Sequence, residues 1–230
     1  MFKTRNHNKE LLDGEHIPET DLFLNLKELH AINKWLGGYK ISMNAFKKVL
    51  IHKNEFVILD IGSGGGDFLK EVSKWNLKFK FNLKLYGIDI KQSCINYSVQ
   101  NNPLANISFI CDDYRNAFNH ITKVNIIHAC LFCHHLNEKE LVELILFCTK
   151  HKITLIINDL ERNRFAYYAI KILTRMFSKS YLVKNDAPLS VLRGFKRSEW
   201  NAILKKAGAK IYSLKNKWAF RHQIIVYEYR

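Results

Sequence analysis

The chain has 230 residues, 47% apolar and 13% aromatic, which excludes a disordered protein and fits one domain with modest additions. No apolar run approaches the ~20 residues needed to cross a bilayer, and no apolar stretch follows the charged segment from Met1 to His7, so no secretory signal is expected. The net charge of +15 is uneven: residues 161–230 carry 16 Lys/Arg against 4 Asp/Glu, whereas residues 1–160 carry 20 against 17.

In chain order, residues 19–36 read as an amphipathic helix, with Leu22, Leu26, Leu29 and Ala31–Ile32 at helical spacing and Gly37-Gly38 ending it. A second short helix is expected over 42–52. Five apolar runs follow, at Phe56–Ile61, Leu83–Ile88, Ile107–Ile110, Val124–Ile127 and Ile153–Ile157. Helical segments at Phe68–Trp75, Gln92–Gln100 and Glu138–Thr149 separate most of them. Strands alternating with helices predict a doubly wound α/β fold, a mostly parallel sheet covered on both faces. Asn137 with Glu140 predicts a capping box for the third of these helices. Residues 163–177 read as an aromatic-rich helix, followed by a polar stretch and then a helix near 197–207 ending at Gly208. The closing runs Lys210–Leu214 and His222–Tyr229 are close enough to pair as an antiparallel hairpin, which completes a seven-stranded sheet. Pro18, Pro103 and Pro188 are all expected at element boundaries.

The chemical signal lies in Leu59-Asp60-Ile61-Gly62-Ser63-Gly64-Gly65-Gly66, where a strand gives way to a helix. Glycines there let the backbone turn sharply and approach a ligand with no Cβ in the way. A dinucleotide fingerprint, Gly-x-Gly-x-x-Gly, fails in both registers, because Asp67 or Leu69 stands where its third glycine belongs. There is no Gly-Lys-Ser/Thr either, so a phosphate-binding P-loop is excluded. What remains is an acid, Asp60, followed by glycines at 62, 64 and 66. Asp89 ends the second strand, 23 residues after Gly66, where a carboxylate accepts bonds from ribose hydroxyls. Asp113 follows the third strand and suits an adenine amino group, with Asp112 as its competitor. A single such Asp more often caps a turn. Three at successive strand ends point to a nucleoside.

Over residues 55–160 the chain resembles the class I S-adenosylmethionine-dependent methyltransferases, through LDIGSGGG, YGIDI, ISFICDD and HACLFCHHL. The resemblance implies S-adenosyl-L-methionine as cofactor, with Asp60, Gly62, Ser63, Gly64 and Gly66 near its methionine part. It further implies Asp89 and Ile90 at the ribose, Asp112, Asp113 and Tyr114 at the adenine, and Ala129 after the fourth strand. NKWLGGYK, IINDLERNRFAYY and SVLRGF are similar to a bacterial subgroup acting on quinones and aromatic polyketides, which implies O- or C-methylation of a small acceptor. Residues 1–54 are then a helical lid, and residues 55–230 the cofactor domain with a helical insertion at 162–190.

Beyond the fourth strand, His134 and His135 are candidate bases, since a neutral imidazole there can take a proton from a hydroxyl acceptor. Asp159, Tyr167, Tyr168 and Arg193 are candidate walls of the acceptor pocket, the aromatic ones because such a cover excludes water and tolerates a sulfonium. Cys130-Leu-Phe-Cys-His134 fits a haem-attachment pattern, but without an export signal its thiols read as small buried hydrophobes, and no metal is expected. Five cysteines without a framework predict reduced thiols and a cytoplasmic setting. The basic C-terminal third reads as a solvated surface that names no partner. A nucleic-acid methyltransferase is the alternative reading. It lacks the Asn/Asp-Pro-Pro-Tyr/Phe motif of base-amino enzymes, and the lone Asn102-Pro103 precedes the wrong strand. A non-catalytic cofactor-binding homologue is the third.

Overall fold

The structure, a computed structural model, describes residues 2–14, 16–50 and 55–228. Two helices, α1 (Glu19–Trp35) and α2 (Gly38–Val49), precede an alternating series. It runs β1 (Glu55–Ile61), α3 (Asp67–Phe79), β2 (Asn82–Asp89), α4 (Gln92–Asn101), β3 (Ile107–Cys111), β4 (Ile126–Cys130), α5 (Glu138–Lys150) and β5 (Thr154–Leu160). The chain then forms α6 (Arg164–Phe177), α7 (Tyr181–Arg193), α8 (Arg197–Lys206), β6 (Tyr212–Lys217) and β7 (Arg221–Val226). The seven strands lie in the order β3-β2-β1-β4-β5-β7-β6. The first five are parallel; β7 runs antiparallel to both β5 and β6, so the predicted hairpin closes one edge of the sheet.

The sheet explains the apolar runs. Along β1 the pleat sends Phe56 and Ile58 into one core, with Phe46, Phe68 and Leu69 of α2 and α3. It sends Val57, Leu59 and Ile61 into the other, with Leu141 and Ile145 of α5 and Trp200 of α8. Both faces are dry along β1, so this strand carries no polar alternation, whereas β2 starts with exposed Asn82 and Lys84 between buried leucines. α5 starts as expected: Asn137 Oδ1 accepts from the Glu140 amide at 3.0 Å, and Glu140 returns the bond to the Asn137 amide at 2.8 Å.

Three expectations are corrected. The second helix begins at Gly38 rather than 42, directly after Gly37 turns the chain at a left-handed φ of 71°. A side chain at Gly38 would collide with Asn33, its Cβ falling 1.7 Å from Oδ1, so glycine there packs α2 tightly on α1. The polar stretch after 177 contains a full helix, α7, whose Leu182, Val183, Val191 and Leu192 are buried. That burial outweighs both the polar sequence and Pro188, which lies inside α7 rather than at a boundary and removes one helical hydrogen bond. The ends of the predicted second helix (51–52) and last strand (Tyr229), and the expected boundary after 54, lie outside the described residues.

Trp200 is the largest of the fully buried side chains, packed 5.1 Å from the Phe195 ring. Trp200→Ala is expected to cost about 3–5 kcal/mol of stability in urea denaturation. A loss under about 1 kcal/mol would mean that this face of the sheet repacks freely.

Candidate functional site

β1 pairs with β2 on one side and β4 on the other, and the chain leaves the sheet in opposite directions from these neighbours. A crevice therefore opens at their carboxyl ends. The glycine loop fills its floor. Gly62, Gly64 and Gly66 adopt left-handed φ values of 63°, 51° and 70°. At Gly62 a Cβ would also lie 2.2 Å from the Phe132 ring, so neither the turn nor the space admits a side chain. Asp89 ties the loop to β2: Oδ2 accepts from the Gly64 amide at 2.9 Å and Oδ1 from the Lys91 amide at 3.0 Å. Burial raises this carboxyl above its ordinary range, and those two amides oppose the shift.

The crevice is a cavity of about 380 Å³, within the ~300–1,000 Å³ common for small ligands. Of the predicted cofactor residues, Asp60, Gly62, Ser63, Gly64, Asp89, Ile90, Asp112, Asp113 and Tyr114 border it. Two do not. Gly66 sits beneath Phe109, where a Cβ would come within 2.5 Å of the ring, and Ala129 is buried inside β4 opposite Ile61. The structure adds Asp13, His30, Tyr39 and Asp67 to the wall. His30 Nδ1 lies 2.9 Å from the Tyr39 hydroxyl and 3.0 Å from Asp67 Oδ1. Only Asp67, directly after Gly66, carried a sequence signal for this group.

Six carboxylates thus face the cavity, against Lys91 and Arg115, and Arg115 is clamped onto both oxygens of Asp113 at 2.9 and 2.6 Å. In a chain of net charge +15 this is an acidic pocket, suited to a cationic ligand. Ser63 Oγ is buried here without a protein partner, a hydroxyl left for a ligand to satisfy. Glycine backbone, acids at two further strand ends and an unsatisfied hydroxyl together fit an amino-acid sulfonium carrying a nucleoside. Asp60 has a second tie. Its Oδ1 lies 2.7 Å from His128 Nδ1, and His128 Nε2 lies 2.9 Å from Ser42 Oγ, which fastens α2 to the switch point.

A second, apolar cavity of about 500 Å³ adjoins the first. α1 contributes Leu29 and Ile32, with Leu36 just past its end, α6 contributes Ala166, Ala169, Ile170 and Leu173, and the β6–β7 turn contributes Trp218 and Phe220. Leu12, Leu29, Leu131 and His135 border both cavities. None of the four predicted acceptor-pocket residues lines the second one. Asp159 is buried against His134; Tyr167 packs on Phe2 at 5.6 Å between ring centres; Tyr168 faces water; Arg193 reaches Asp13 at 3.1 Å. Their sequence positions bring them to this end of the fold, but their side chains are directed elsewhere than this cavity.

The two histidines separate. His134 is buried, its Nδ1 2.7 Å from Asp159 Oδ1 and its Nε2 3.6 Å from Glu10 Oε1. Burial disfavours its cation, but Asp159 and Glu10 outweigh that and raise the imidazole to about 9. It is therefore charged at neutral pH and is a donor in this network, not the base the sequence suggested. His135 is half-buried and borders both cavities, with Nδ1 3.4 Å from Asp13 Oδ1. Asp159 and Glu10 are held below their ordinary range: burial opposes this, and His134 overcomes it. The thiol of Cys133 is fully buried, and that burial raises it well above its ordinary value, which keeps it inert.

The network makes stability pH-dependent with a determined sign. Because the folded value of His134 exceeds 6.5, its contribution is complete below about 6.5 and is lost as pH rises through about 9. The lowered carboxyls contribute above their ordinary range and lose that contribution as pH falls through their folded values. Thermal unfolding of the wild type is expected to drop between about pH 6.5 and 9.5, with a flatter slope in His134→Gln. Identical slopes would remove His134 from the account.

A sequence model of a methyltransferase domain matches residues 52–208. No curated protein matches the sequence significantly. Among solved structures, the plantazolicin methyltransferase BpumL in complex with SAH superposes with a TM-score of 0.65 at 17% identity, covering 92% of this chain and 96% of that one. A SAM-dependent methyltransferase from Aquifex aeolicus gives 0.58 at 18%, covering 91% and 98%. The CMeT domain of the citrinin polyketide synthase gives 0.53 at 12%, covering 75% and 46%. At these identities the likeness is one of fold, and it agrees with the strand order and glycine loop. The matched domain spans most of the chain, which accordingly belongs to the methyltransferase-domain family as a class I, S-adenosylmethionine-dependent methyltransferase.

Proposed function

We propose that this enzyme methylates a small, largely apolar acceptor, such as a phenol or quinone-like compound, at oxygen or carbon. The observation that carries the reading is the junction of two unlike cavities, one acidic and one apolar, at Leu131 and His135. The neighbours whose names state a substrate class, a plantazolicin methyltransferase and a polyketide synthase domain, lend it support.

In this reading Asp89 accepts from the ribose hydroxyls with the lone pairs that Gly64 and Lys91 leave free. Asp112 or Asp113 takes the adenine amino group, with Tyr114 beside the ring. The loop from Gly62 to Gly64 and the Ser63 hydroxyl meet the methionine part, near His30, Tyr39 and Asp67. S-adenosylmethionine supplies, when bound, an electrophilic methyl on a sulfonium leaving group. The chain's own work is alignment and exclusion of water. α1, α6 and α7 enclose the apolar cavity, and α1 with the segment around Leu12 is the lid. α2, by contrast, belongs to the core. His135 is placed to hold the acceptor's hydroxyl and receive its proton.

Asp89→Ala is expected to abolish S-adenosylmethionine binding in calorimetry; affinity within about twofold of wild type would exclude this nucleoside site. With a phenolic acceptor found by screening, His135→Asn is expected to lower kcat about 100-fold. An unchanged kcat would assign His135 to shape alone.

A further inference from the structure

α6 carries two apolar faces, and among the described residues only one is packed against the rest of the chain. Tyr167, Ile170 and Thr174 turn inward, one or two helical turns apart. On the opposite side Phe165, Ile172 and Met176 form a row that is 62%, 57% and 68% exposed. A row of Arg164, Lys171 and Arg175 runs along its flank. From Arg162 to Asn185 the chain has six Lys/Arg and no Asp or Glu. Large apolar side chains in water beside an uninterrupted cationic row are the signature of a helix lying in the interface of an anionic bilayer.

The patch also connects to the apolar cavity. Ala169 and Leu173 lie between the outward row and the cavity they help to line, and Trp218, 77% exposed, borders the same cavity from the β6–β7 turn. The exposed apolar surface thus runs to the mouth of the acceptor space. The cationic flank complements one kind of surface and repels another, which favours an anionic bilayer over an apolar protein groove.

We propose that α6 is a membrane-docking helix that seats the enzyme on an anionic bilayer, so that its apolar cavity opens toward the lipid and takes an amphiphilic acceptor from it. This rests on the reading of that cavity as the acceptor site, and adds where the acceptor comes from. Docking requires no spanning segment, and no described helix is long and apolar enough to be one.

The test is co-sedimentation of the full chain, without cofactor or acceptor, with vesicles of phosphatidylglycerol and phosphatidylcholine or of phosphatidylcholine alone. The wild type is expected to bind the anionic vesicles about tenfold or more tightly than the neutral ones, less so at high salt. Phe165→Gln combined with Ile172→Gln and Met176→Gln should abolish binding, and Lys171→Glu with Arg175→Glu should remove the anionic preference. Circular dichroism and S-adenosylmethionine affinity matching wild type would show these variants to be folded. Equal binding to both vesicles, or full binding by the triple variant, overturns the proposal. So does light scattering that finds a wild-type dimer split by the triple variant, since a second copy would then cover this face. Because the assay omits the cofactor, vesicle binding without S-adenosylmethionine affinity would sink the catalytic reading alone, and the converse would sink docking alone.

Discussion

Everything at the functional end of this molecule follows from β1 having parallel partners on both sides. Parallel strands require crossovers, and those that leave β2 and β4 run in opposite directions, to β3 and β5, so a crevice opens at the carboxyl end of β1. The chain must turn there tightly. Three left-handed glycines make the turn, and the carboxylate at the end of β2 holds it through the Gly64 amide. The same switch point is braced from below by the buried chain of Asp60, His128 and Ser42, with Phe68 stacked 3.9 Å from the imidazole. One strand position thereby serves two purposes: Asp60 borders the cavity and secures the helix beneath it.

A second set of buried charges builds the roof. Glu10, Asp13 and Arg193 come from distant parts of the sequence to surround His134 and His135, while Arg5 donates to the carbonyl oxygens of Arg193 and His134 at 2.6 and 2.5 Å. Asp186 accepts from the amides of Leu11 and Leu12 at 2.8 Å each, which pins the turn that contributes Leu12 to both cavities. Removing one member of such a network leaves a buried charge uncompensated, so these residues act as a unit. The N-terminal segment, with few apolar residues of its own, is held by these hydrogen bonds and ion pairs together with the packing of Phe2 and Leu12.

The two cavities differ in electrostatics because their walls come from different structural classes. Strand ends and the segments after them supply the acids of the first, apart from Asp13 of the N-terminal segment; the inward faces of α1, α6 and α7 supply most of the aliphatic lining of the second. The acidic and the apolar spaces are therefore kept apart except where Leu12, Leu29, Leu131 and His135 border both. Most of the chain's positive charge lies elsewhere, on surfaces such as the flank of α6; in the acidic crevice Lys91 and Arg115 face six carboxylates.

Much of this was legible in the residues. Short apolar runs and period-3.6 patterns located the strands and most helices, and the glycine spacing with Asp89, Asp112 and Asp113 located the first cavity, because strand ends are local features and turn chemistry is written in adjacent residues. Helix α7 was hidden, since tertiary burial of Leu182, Val183, Val191 and Leu192 overrides a polar sequence with an internal proline. The lining of the apolar cavity was hidden for a related reason. Tyr167, Tyr168, Asp159 and Arg193 occupied plausible positions, yet which way a side chain points depends on helix rotation and on partners more than a hundred residues away. Sequence alone determined the sheet, the crevice and the acids that border it; only the tertiary structure decided which histidine is buried between carboxylates, which side chains of α1, α6 and α7 line the apolar cavity, and that this cavity adjoins the crevice.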